Sequence, residues 1–330
     1  MKRKFLLSIM AMSLAIVSLF TFTACKDGDS GAKTVSNEEF SKGVKASFDN
    51  FVDSHADYDN YGEYKVVASA DIQDVYDTEW RYTPDGADEP IYVTYTNTES
   101  IKANVVYNVK RIGGELFVSM EATHESSSVE YDDFLAPTNA PLTAEKDKYL
   151  ANKKLLFGVE NGVYYLRVES NVQQGEETLG DPVVTKEYKT FATKADYAEA
   201  VMNYLGDIEF HYALMPYQLF SQDETTMLLF TLPKTVENGV YSFVAEMAMP
   251  RFDIHDKESS LYSMKEEVGF SSQGPAKIVM DVDNEESVMN MVANFEYASS
   301  LSAPTNAIEG YTLNNDLKAS DYFIAVFANF

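Results

Sequence analysis

The sequence predicts an α+β fold that is mostly antiparallel β: a curved sheet or half-barrel built from hairpins, with an N-terminal helix and a central helical pair. Three observations predict it. Apolar and polar residues alternate over most of the chain, the period of a half-buried strand. The alternating runs are joined by Gly113-Gly114, Asn161-Gly162, Asn238-Gly239 and the acidic turn Asp283–Glu286. Residues 36–56 and 193–220 exchange that period for helical spacing, and 288–297 fits both, with Val288, Met291, Val292 and Phe295 on a helical face but the strand alternation preferred.

The chain opens with Lys2, Arg3 and Lys4, followed by an uncharged apolar run from Phe5 to Phe22 that ends in Thr23-Ala24-Cys25. A small residue directly before a cysteine that closes such a run resembles the lipobox of bacterial lipoproteins. The resemblance implies cleavage before Cys25, lipid attachment at Cys25 with palmitate-type acyl chains, and an extracytoplasmic protein held to a cell membrane or outer membrane. Phe22 stands where that family usually carries an aliphatic residue. The alternative for the same run is an uncleaved membrane-spanning helix.

Cys25 is the only cysteine, so residues 26–330 carry no disulfide and must be stabilised by core burial. Setting residues 1–24 aside removes three of the 26 basic side chains and none of the 52 acidic ones. That balance repels nucleic acid and anionic headgroups, so the expected partners are the membrane, through the N-terminal lipid, and an apolar small molecule or lipid, with no nucleic acid.

Residues 25–35 read as a flexible tether, and 36–330 as the sheet domain, with room for two subdomains meeting near 175–193. Ser36 with Glu39 caps a helix whose apolar face is Phe40, Val44, Phe48, Phe51 and Val52, ending near His55–Tyr58. Strands follow at 101–110 and 115–123, at 153–159 and 163–169, at 227–231 and 240–247, at 262–271, and at 277–282 and 288–297. The terminal run 322–330, apolar on both faces, reads as a strand inside the sheet.

Between these hairpins Thr193 and Asp196 cap a helix with Tyr197, Val201, Tyr204 and Leu205 on one face, closed by Gly206. A second helix then begins at Asp207 and runs through IEFHYALMPYQLF, 208–220, where Pro216 must kink or end it. Two uses fit this segment. It is a helix buried in the sheet's hollow, or Phe210, Tyr212, Leu214, Met215, Tyr217 and Phe220 line an apolar ligand cavity.

The lipobox, the short tether, one amphipathic helix and hairpins interrupted by further helices together resemble LolA-like bacterial lipoproteins. Segments 36–56, 101–123, 153–169, 193–220 and 276–297 carry the likeness. It implies an open antiparallel half-barrel with helices in its hollow. It supplies no catalytic or ligand motif, so no site residue follows from it.

Chemistry is sparse. His55, His124, His211 and His255 lie in no metal spacing, and neither a GxSxG nor a glycine-rich phosphate loop is present. Asp281, Asp283, Glu285 and Glu286 begin like a calcium loop, but Glu286 stands where the sharp turn needs glycine. Tyr58, Tyr61 and Tyr64 beside Asp57 and Asp59 would suit sugar or peptide stacking if exposed, or a packed strand with wet hydroxyls. The expectation is a non-enzyme without cofactor or metal. It binds or carries an apolar, lipid-like ligand, the alternative being a cell-surface module that recognises glycan or protein.

Two exact echoes remain. Val-Glu-Asn-Gly-Val-Tyr stands at 159–164 and 236–241, and Ala-Pro-Thr-Asn-Ala at 136–140 and 303–307. Folding alone explains the hexamer: Asn-Gly supplies two positive φ angles and Val-Tyr starts the next strand. Both copies should lie at exposed hairpin tips, away from any pocket.

Overall fold

The computed structural model describes residues 32–131, 140–214, 234–250, 261–283, 287–324 and 326. Helix α1, Asn37–Ser54, starts where the sequence says it should. The Ser36 hydroxyl accepts the Glu39 N–H at 3.1 Å, satisfying one of the first-turn donors that the helix itself cannot pair. Its inner stripe is Phe40, Val44, Ser47 and Phe51. Val52, expected on that face, is 47% exposed, because the stripe continues to His55 instead.

One curved, unclosed sheet holds every strand of the described residues. In chain order these are β1 (Lys33–Thr34), β2 (Tyr64–Tyr82), β3 (Ile91–Ile112), β4 (Glu115–Tyr131), β5 (Ala144–Glu160), β6 (Val163–Gly175) and β7 (Val183–Phe191). They continue with β8 (Lys234–Glu237), β9 (Val240–Pro250), β10 (Leu261–Ser271), β11 (Gly274–Asp283), β12 (Ser287–Glu296) and β13 (Thr312–Leu313). The order across the sheet is β1-β8-β9-β10-β11-β12-β2-β3-β4-β5-β6-β7-β13. All pairings are antiparallel except β13 with β7. Segment 175–193, considered as a subdomain junction, forms the β6–β7 connection and β7 within this same sheet.

Alternation survives as burial. Along β3, Ala103, Val105, Tyr107 and Val109 face the core, while Lys102 and Asn104 are exposed. The strands are longer than the hydrophobic runs that announced them. β3 begins ten residues before Ile101, in the polar stretch Ile91–Ser100, because pairing along the whole of β2 satisfies its backbone whether or not the face is covered.

Residues 287–296 form a strand, as the alternation of Met289, Met291, Ala293 and Phe295 requires. The run 227–231, expected to precede Asn238-Gly239, lies outside the described residues, and the strand that enters this turn is β8. The expected terminal strand is a correction. Residues 319–322 form a 3₁₀ turn and 323, 324 and 326 enter no ladder, while 325 and 327–330 lie outside the described residues.

Helix α2, Lys194–Glu209, carries a complete capping box: Thr193 Oγ1 accepts the Asp196 N–H at 3.2 Å, and the Asp196 carboxylate accepts the Thr193 N–H at 3.1 Å. Thr193→Ala is expected to cost about 1 kcal/mol of stability, measured by urea denaturation. Through Leu214 the predicted helical pair runs on as one helix, and 215–220, with the expected kink at Pro216, lie outside the described residues. Gly206 does not end it, and the chain runs on into a π-helical turn, Phe210–Leu214. The reason is burial: Ile208 and Tyr212 extend the stripe of Tyr197, Val201, Tyr204 and Leu205. Covering that stripe outweighs roughly 1 kcal/mol lost by a helical glycine.

Both helices lie on the sheet's concave face and share one core with it. α1 covers β8–β11 and α2 covers β6 and β7. The convex face carries a smaller cluster of Phe117, Leu156, Tyr165 and Ala307, covered by Leu301 and Ile308 of the segment after β12.

The repeated hexamer does more than turn the chain. Asn161 and Gly162 have φ of 52° and 78°, and Asn238 and Gly239 have 50° and 80°, so both copies are hairpin tips. In each copy the final tyrosine meets an aromatic residue four positions after a helix cap. Tyr164 lies 5.1 Å from Tyr197 of α2, and Tyr241 lies 6.4 Å from Phe40 of α1 between ring centroids. Gly43 lets Tyr241 press against α1, since a Cβ there would sit 2.4 Å from the tyrosine ring. The first copy also touches the second Ala-Pro-Thr-Asn-Ala. Glu160 accepts the N–H groups of Asn306 and Ala307 at 2.7 and 2.8 Å. The first Ala-Pro-Thr-Asn-Ala lies outside the described residues up to Ala140.

Candidate functional site

The hollow between the concave sheet, α2 and residues 319–324 collects three of the buried tyrosines. Strand β3 contributes Tyr107, α2 contributes Tyr204, and the π-helical turn contributes Tyr212, each at most 2% exposed. Tyr107 and Tyr212 have ring centroids 5.8 Å apart. Phe323 stacks on Tyr107 at 5.9 Å and on His211 at 5.2 Å.

Two of these three hydroxyls, those of Tyr107 and Tyr212, bond main chain. Tyr107 Oη donates to the Ile324 carbonyl at 2.6 Å and accepts the Ile324 N–H at 3.0 Å. Tyr212 Oη donates to the same carbonyl at 3.0 Å and accepts the Val326 N–H at 3.0 Å. A phenol can donate once and accept, so two side chains replace the strand partner that this backbone lacks. Ile324 and Val326 are themselves buried, which is why their apolarity read as an inner strand.

At the other end of the hollow, the corner after α1 meets the end of α2. Tyr61 Oη donates to Glu209 Oε1 and lies 3.4 Å from Tyr64 Oη. The His55 ring stands 4.8 and 5.3 Å from those two rings. His55 Nδ1 lies 2.6 Å from the Phe51 carbonyl oxygen, and burial holds the imidazole below its usual pKa. Burial also lifts the Glu209 carboxyl to about 7, the Tyr61 hydrogen bond opposing the shift only in part. Desolvation pushes Tyr61 and Tyr64 well above the usual phenol range. This corner can hold a proton near neutral pH.

The sequence-predicted lining residues separate. Tyr212 is fully buried and bonded as described, whereas Phe210 is 47% exposed. Leu214 ends the π-helical turn, and Met215, Tyr217 and Phe220 lie outside the described residues, as does Cys25. Tyr61 and Tyr64 are core rather than a wet platform, and Tyr58 bonds Glu115 at 3.0 Å. Sequence reading missed Glu209, although it stands four residues after Leu205, on the edge of the buried stripe. It also missed Tyr107 as a backbone ligand, because its partner Ile324 is 217 residues away.

Two clefts are best defined. One, of about 190 Å³, lies between β5–β7, α2 and the 319–322 turn, lined by Phe157, Leu166, Tyr204, Asp207 and Ser320 among others. The other, of about 330 Å³, lies on the convex side between the β5–β6 hairpin tip and residues 306–309. The first hexamer copy is thus at a tip but not away from a pocket, because its Glu160, Asn161 and Val163 line this cleft. Among the described residues no helix is long and apolar enough to cross a membrane, and no group of His, Cys, Asp and Glu could hold a metal ion. Comparison with known protein families, curated proteins and solved structures found no match.

Proposed function

We propose that this chain is a membrane-tethered extracytoplasmic lipoprotein of LolA-like kind, without catalytic activity, that binds an apolar guest in the hollow of its open sheet. The observation that carries the reading is the hollow itself. It is walled by a concave apolar sheet and two helices, and it already contains apolar chain that belongs to no strand or helix. The cleft beside it holds about 190 Å³, less than the roughly 300–1,000 Å³ of small-molecule sites, so a guest enters by displacing that chain. The anchor is Cys25, and the eight residue-to-residue steps from Cys25 to Lys33 can span at most about 29 Å, keeping the β1 edge near the bilayer.

Native mass spectrometry of residues 26–330 purified from membranes tests the guest. Co-purified lipid, or uptake of a fluorescent fatty acid, is the expected result, and absence of both refutes carriage of lipid. Cys25→Ser is expected to release the protein from the membrane fraction. A variant that stays there has a spanning helix instead of a lipid.

The second reading, a surface interaction module, is favoured by the far ends of β2 and β3, where Val75, Ile91 and Tyr92 are exposed and Arg81 stands 5.8 Å from the Tyr92 ring. Loss of cell-surface binding in Tyr92→Ala, with the fold intact, would support it.

A further inference from the structure

We propose that the hollow is a peptide-binding groove, that its resident ligand is this chain's own 319–326 segment, and that an extended apolar peptide can take that segment's place. The inference rests on the proposed hollow but changes its guest from lipid to polypeptide.

The contacts are those of a bound peptide rather than of a core strand. Residues 323 and 324 follow a 3₁₀ turn and pair with no strand among the described residues. The Phe323 N–H closes the turn on the Ser320 carbonyl at 3.2 Å, and beyond it the carbonyl and N–H of Ile324 and the N–H of Val326 are bonded by the Tyr107 and Tyr212 hydroxyls. Hydrogen bonds to main-chain groups carry affinity without reading sequence. Specificity is left to the pockets that take alternate side chains, the division of labour seen when a peptide adds to a sheet. Here Ile324 and Val326 are buried, and Phe323 lies among Tyr107, Tyr204 and His211, with ring centroids 5.9, 6.1 and 5.2 Å away. An apolar residue at each of these three places is therefore what the groove selects.

The preceding chain looks like a strap. β13 pairs only Thr312 and Leu313 with β7, Leu317 is buried, and the exposed Lys318 precedes the 3₁₀ turn. A segment fastened at one side and held beyond it by tyrosine hydroxyls can leave without unzipping a strand.

The test keeps the full chain. A cleavage site for a specific protease is inserted after Lys318, the protein is folded and then nicked, and labelled synthetic peptide of residues 319–330 is added in excess. The nicked chain is expected to keep its near-ultraviolet circular dichroism and to exchange the native fragment for the labelled one. It should ignore a scrambled peptide of the same composition. Tyr107→Phe with Tyr212→Phe is expected to speed exchange at least tenfold, and each single change to have a smaller effect. Three results overturn the proposal: nicking that collapses the fold, a fragment that never exchanges, or equal exchange of the scrambled peptide. An unaltered rate in the double variant removes the hydroxyls from it. Failure of lipid uptake alongside sequence-dependent peptide exchange refutes lipid carriage alone, so the two readings fail separately.

Discussion

Replacing Glu209 by glutamine is expected to change stability little at about pH 5 and to raise it by roughly 2–3 kcal/mol at about pH 8.5, read from urea denaturation of variant and wild type side by side. The carboxyl is lifted by burial from an ordinary value of 4.5 to about 7. A carboxyl raised in the folded state favours folding while it is protonated. Its contribution is therefore complete below the unfolded value and is lost as pH rises through the folded one. Glutamine keeps an acceptor for the Tyr61 hydroxyl and removes the charge, so the variant should lose this slope between about pH 4.5 and 7. Repulsion among the many acidic side chains also grows over that range, which is why the difference between the two proteins is the quantity to measure. Identical slopes would show that the Glu209 carboxyl is not perturbed.

Phe157→Ala is expected to cost about 4 kcal/mol, within the range for removing a buried aromatic ring. Phe157 is fully buried on β5, with ring centroids 5.7 Å from Tyr204, 6.1 Å from Tyr197 and 6.3 Å from Phe191. It ties the sheet to α2 and to β7 at once. Those neighbours are large and are fixed by their own contacts, Tyr197 by donating to the Leu116 carbonyl at 2.6 Å, so the space cannot close. Phe210→Ala, by contrast, should stay within about 0.5 kcal/mol, because that ring is half in water. A comparable loss for both variants would place Phe210 in the core.

The same contrast explains how far the sequence could be read. Strands and caps are local: Ser36, Thr193, the Asn-Gly pairs and the alternation in β3 each act over a few residues, and each is found where the pattern puts it. Gly206 misleads because a local stop signal competes with a buried stripe that continues through Ile208 and Tyr212. Segment 323–326 misleads for the opposite reason. Its apolarity is real, but what pairs its backbone is a pair of hydroxyls from β3 and the π-helical turn, and no periodicity encodes that. The candidate site was half visible. Tyr212 belonged to a segment already suspected, whereas Glu209 and Tyr107 became site residues only once the sheet had brought distant chain together.

The two-residue strands β1 and β13 have a consequence for the protein in a crowd. An open thirteen-stranded sheet offers two free margins on which a neighbouring molecule could continue the ladder. β13 occupies Glu187 and Tyr188 in the middle of β7, leaving Val183–Lys186 as the longest bare run on that strand. Four residues fall short of the roughly six or seven from which amyloid-like zippers are built. β1 divides its own margin in the same way by taking Thr235 and Val236 of β8. Among the described residues, two scraps of strand thus break up both margins of the sheet and shorten the bare edge that a neighbour could extend.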